Sequence, residues 1–148
     1  MGRVHVLAQC LEHLCITNEA YLASISAAIR EKPDSPVEQI TPGRFGCWFI
    51  RCFVEPSPNS KRASAPGKIR PGPRTDLSVL DRFLSVNQAC RDLILRARGN
   101  DVNRIRFWNP FLPGLRFTVG TGLQLIVSHE RRHLLQAKRV KDSATFPR

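Results

Sequence analysis

The chain has 148 residues, 42% of them hydrophobic, and a formal net charge of +11. That length suits one ordinary domain and that apolar content can fill a core, which excludes a compositionally disordered chain. No apolar run approaches the ~18–20 residues of a membrane-spanning helix, and the opening Met1-Gly2-Arg3-Val4-His5, soon followed by Glu12 and His13, makes a poor secretory signal. A cytoplasmic protein with no membrane partner is expected.

The first predicted element is a helix over Val6–Ile29, where Leu7, Leu11, Leu14, Leu22, Ile25 and Ile29 recur mostly at three- and four-residue steps. Pro33 and Pro36 stop it. A short helix over Phe45–Val54 follows the turn Thr41-Pro42-Gly43 and ends at Pro56. From Pro56 to Arg74 prolines alternate with Ser, Lys and Gly, so residues 56–75 read as a long surface loop or crossover. Asp76 can cap the next helix, Leu77–Arg98, which Gly99-Asn100 closes. The stretch Ile105–Gly114 reads as an aromatic connector with two prolines, and nothing reads as a strand. Trp48, Trp108 and Phe111 are assigned to the core or a pocket wall. The last helix is predicted over Thr118–Val140. The sum is a single all-α domain over 1–148, an α-helical bundle in outline.

Five cysteines, Cys10, Cys15, Cys47, Cys52 and Cys90, are an odd number without framework spacing and read as reduced thiols. Cys10 and Cys15 flank His13 and read as small core residues. The positive charge permits nucleic-acid binding, but the bases cluster in the Pro-rich segment and on the last helix with no aromatic residues between them. A solvated basic face explains them more simply, and a basic nucleic-acid-binding protein is kept as an alternative.

The chemistry concentrates in Ser128-His129-Glu130-Arg131-Arg132-His133. Two histidines four apart stand on one side of a helix and suit a single metal ion. The segment formally matches the H-E-x-x-H signature of zinc proteases, whose glutamate acts as general base. Those proteases take a third ligand downstream, where this chain offers only Asp142, so that reading is set aside. Glu130 lies about 100° round the helix from His129 and is expected to face solvent or pair with Arg30 or another surface arginine. Upstream, His13 stands beside the apolar stripe of the first helix. If the first and last helices pack together, His13 can join His129 and His133, and three imidazoles leave a position on the metal for water or substrate.

The pairing of Glu12-His13-Leu14 and Tyr21-Leu22 in an early helix with His129–Gln136 in the last one resembles the DinB-like superfamily of metal-dependent four-helix-bundle proteins. His13, His129 and His133 fall on the family's three histidine positions and Gln136 on its trailing glutamine. Asn109-Pro110-Phe111 is similar to the family's connector. The resemblance spans roughly residues 7–141. It implies an antiparallel four-helix bundle, a homodimer, and a divalent metal ion, zinc or nickel, on His13, His129 and His133. Some relatives transfer low-molecular-weight thiols, which implies a thiol-dependent transferase acting on a small-molecule substrate. Family members usually have a complete helix before the one bearing the first histidine. This chain starts almost at that second helix, so the bundle is expected to be incomplete at the N-terminus, with an apolar groove open to a partner. A bundle that binds partners without catalysis is the other alternative.

Overall fold

A computed structural model describes residues 2–29, 37–55 and 78–142, with side chains from Val6 onward. The elements are α1 (Gly2–Ser26), α2 (Arg44–Phe49) running into a π-helical turn (Ile50–Val54), α3 (Val79–Ala97), strands β1 (Arg106–Trp108) and β2 (Arg116–Thr118), and α4 (Val119–Lys141). The fold is the expected all-α bundle. The crossover expected at 56–75, and Asp76 as a cap, lie outside the described residues, as does Arg30.

α1 packs against both α3 and α4, and the latter two do not pack on one another to a comparable extent. Cys15, Tyr21 and Ile25 form its buried stripe, meeting Val86, Cys90 and Leu93 of α3 and Leu123 and Ile126 of α4 in one core. α1 ends earlier than expected, at Ser26, in a turn where the Ala28 amide bonds the Ile25 carbonyl at 3.0 Å. The second helix is also not uniform. Its last turn is π-helical, closed by the Glu55 amide donating to the Ile50 carbonyl at 2.8 Å.

The aromatic connector contains the two strands that the sequence reading did not find. They pair antiparallel, with Phe107 opposite Phe117. Each is three residues long, too short to display a period of two. Asn109 organises the turn between them, its side-chain oxygen accepting from the amides of Phe111 and Leu112 at 2.8 and 2.9 Å. Phe107 and Phe117 face the core, so their neighbour Trp108 faces out at 61% exposure, the guanidinium of Arg116 5.0 Å above its ring. Trp48 is likewise exposed, at 52%, because α2 seats on α4 through Gly46, where any Cβ would collide with Thr121. Both tryptophans were expected in the core or a pocket wall and are not there. Phe111 is half-buried, its ring centroid 5.5 Å from that of Tyr21.

This hairpin delivers α4 to α1. Thr118 caps α4, accepting from the Thr121 amide at 3.1 Å. The Val119 and Gly120 amides donate to the carbonyls of Ile105 and Val102 at 2.8 and 2.7 Å, so the first turn is satisfied while fully buried. Further along, Gly122 lets the Phe107 ring and Ile25 approach so closely that an added Cβ would stand 2.7 and 2.8 Å from them. That contact brings the α4 backbone against α1 and sets the register of everything C-terminal to it.

Candidate metal centre

Given that register, His13 on α1 meets His129 and His133 on α4. His13 Nε2 lies 3.3 Å from His129 Nε2, and His133 Nε2 lies 3.0 Å from the same atom. Ring centroids are 4.6 to 5.1 Å apart around the cluster. One nitrogen from each ring falls within 4.8 Å of the others, and this is the one such group of possible metal ligands among the described residues. His13 is buried and the other two are half-buried.

Hydrogen bonding alone serves this arrangement badly. Each Nε2 has one in-plane position, which holds either a proton or a lone pair. His129 Nε2 therefore cannot make a linear hydrogen bond to both neighbours at once. A cation that takes a lone pair from each ring satisfies all three. Two imidazole nitrogens bound tetrahedrally to zinc at about 2.05 Å would lie roughly 3.3 Å apart, the separation that His13 and His129 already have. The donor set is also kept ready. Burial, then the neighbouring imidazoles, push His129 down to about 3. Burial, then His13 and Arg132, push His133 down to about 4, with a Gln136 hydrogen bond acting the other way. Both rings hold free lone pairs at neutral pH. The residues fit a divalent ion that favours nitrogen ligands.

Around the triad, three side chains behave differently from the sequence reading. Glu130 does not face solvent. It is half-buried and accepts from Asn18 Nδ2 at 2.7 Å, with burial holding its carboxyl above the ordinary range. Asn18, fully buried on α1, was missed altogether. Its signal was available: it fills the gap that the apolar stripe leaves between Cys15 and Leu22, and a polar residue on such a stripe needs a partner. Cys15 is the small core residue expected, but Cys10 is half-buried with Sγ 3.2 Å from His133 Nδ1. Tyr21 is a core tyrosine, accepting from Asn109 Nδ2 at 3.2 Å. The side chain of His5 lies outside those described. The five cysteines are free thiols.

A cavity of about 480 Å³ opens beside the cluster. Leu7, Leu11 and Leu14 of α1, Phe83 of α3, and Val127 and Ala137 of α4 line it, and it reaches the triad at His133, with Cys10 beside it. It occupies the corner where α3 and α4 fail to meet. No helix among the described residues is long and apolar enough to cross a membrane.

The family model of the DinB superfamily matches residues 2–137, and the chain belongs to that superfamily. No curated protein and no solved structure matches it.

Proposed function

We propose that this member of the DinB superfamily is a cytoplasmic protein that holds a divalent metal ion, zinc or nickel, on His13, His129 and His133. It uses that ion as a thiol-dependent transferase acting on a small molecule. One observation carries the reading: three imidazoles, two from α4 and one from α1, each bring one nitrogen within 4.8 Å of the others. The thiol part rests on the family resemblance. A divalent cation held by His13, His129 and His133 would lower the pKa of a thiol or water bound to it. The chain's own residues do the rest. His129 and His133 present neutral nitrogens at physiological pH, and the Asn18–Glu130 bond ties α1 to α4 beside them. The apolar cavity offers a water-poor surface next to His133 for the body of a substrate.

The same corner supports a homodimer. Leu80 and Leu84 of α3 and Val127 and Leu134 of α4 are between 51% and 70% exposed, an apolar surface that a second copy can cover.

Purified protein should carry near-stoichiometric metal by plasma mass spectrometry, and His133→Ala should lose it. Unchanged metal content in that variant would remove the assignment. By calorimetry, a low-molecular-weight thiol should bind the loaded protein and not the variant. Equal binding to both would remove the transferase part alone.

A further inference from the structure

The outer nitrogens of His129 and His133 have different surroundings. His129 Nδ1 is buried and meets no hydrogen-bond partner. His133 Nδ1 lies 3.2 Å from Cys10 Sγ, a separation within reach of a sulfur hydrogen bond. Cys10 stands three residues before His13, on the same side of α1. One helix therefore supplies both an imidazole of the cluster and the neighbour of a second imidazole borne by another helix.

Building on the metal reading above, we infer that Cys10 is a positioning residue: its sulfur accepts the Nδ1–H of His133 and so fixes the ring's orientation and tautomer for ligation through Nε2. An imidazole that gives its Nε2 lone pair to a cation must carry its proton on Nδ1, and the group receiving that proton decides how the ring is held. Carboxylates and carbonyls usually do this. Here the half-buried position is filled by a thiol, a weak acceptor but one shielded from competing water. Gln136, one turn beyond His133, also hydrogen-bonds it but is exposed, where water competes for the amide. Cys10 also forms part of the cavity wall, so its sulfur joins the pocket to the cluster.

The test is zinc affinity, by competition with a chromogenic chelator, for the parent, Cys10→Ala, Cys10→Ser and Gln136→Ala. Removing a group that orients a ligand lowers metal affinity roughly 10- to 100-fold. Cys10→Ala should show that loss, and Cys10→Ser, which keeps an acceptor, should recover most of it. Gln136→Ala should lose less than Cys10→Ala. Nitrogen-edited NMR of the zinc-loaded protein gives a readout that packing alone does not move. The His133 Nδ1–H should exchange slowly in the parent and in Cys10→Ser, and quickly in Cys10→Ala. Zinc binding in Cys10→Ala equal to the parent's would overturn this inference while leaving the metal reading intact. So would equal losses in Cys10→Ala and Cys10→Ser with an unchanged Nδ1–H signal, or a larger loss in Gln136→Ala. A parent that binds no zinc overturns the metal reading and this inference with it.

Discussion

Acid should unfold the metal-free protein earlier than an ordinary bundle, and the slope is set by two histidines. His129 is held at about 3 and His133 at about 4 in the fold, against 6.5 in a solvated chain. Between those limits the unfolded chain binds protons that the folded chain refuses, so stability must fall as pH drops through 6.5 toward 4. pH 5 lies about 1.5 units below the unfolded value of each group, so each costs about 2 kcal/mol there and the pair about 4 kcal/mol relative to neutral pH. That is a large share of the 5–15 kcal/mol that stabilises a typical domain. The assay is urea unfolding of chelator-treated protein between pH 5 and 7.5. His129→Phe removes one titrating ring while keeping its bulk, and the loss between pH 7 and 5 should shrink to about 2 kcal/mol. Glu130 titrates with the opposite sign. Its carboxyl is held above the ordinary range, so it contributes stability on acidification, and Glu130→Gln should make the histidine slope steeper. A parent stability flat from pH 7 to 5, or a His129→Phe slope equal to the parent's, would refute the reasoning.

Four further outcomes are expected. Zinc at a hundred times its dissociation constant should stabilise the parent at pH 7 by about 2.7 kcal/mol, read as a shift in urea midpoint that His133→Ala abolishes. Asn18→Ala leaves the half-buried Glu130 carboxylate without its partner and should cost about 1–3 kcal/mol in chemical unfolding, with Glu130→Gln milder because its amide oxygen still accepts. Gly122→Ala drives a Cβ into Phe107 and Ile25, and it should lower the melting temperature by an amount equivalent to about 1–3 kcal/mol. Leu134→Asp, on the exposed apolar face of α4, should convert a dimer to a monomer in light scattering without loss of metal. A mass that stays dimeric would place the interface elsewhere.

Much of this molecule was legible because its signals are periodic. The stripes of α1, α3 and α4 run long enough to show the helical repeat, and Gly99-Asn100 marks the end of α3 just beyond Ala97. The triad was legible because i,i+4 spacing fixes His129 against His133 whatever the tertiary structure. What escaped was short or relational. Arg106–Trp108 and Arg116–Thr118 carry too few residues to alternate visibly, and the prolines between them suggested a connector without pairing. Trp48 and Trp108 looked like core because large aromatics usually are. Their exposure follows from neighbours no pattern reveals: Gly46 letting α2 sit against Thr121, and Phe107 taking the inward position of β1.

Glu130 shows how far a motif can mislead when its surroundings are unseen. In the protease pattern that residue needs its carboxylate turned toward the metal to take a proton from water. Here it is turned away into a bond with Asn18, and it is not among the side chains whose donor atoms converge with the three imidazoles. The third histidine comes from the helix that also supplies Asn18, five residues later on α1. His13 and Asn18 thus engage His129 and Glu130, adjacent residues on α4. A slip of α4 by one residue along α1 would break both contacts together. The glutamate that the protease signature would make a base, and that the sequence placed toward solvent, is better understood as half of a clasp between α1 and α4 beside the nitrogen cluster. Asn18→Ala should therefore weaken zinc binding as well as stability, whereas a base would leave affinity unchanged.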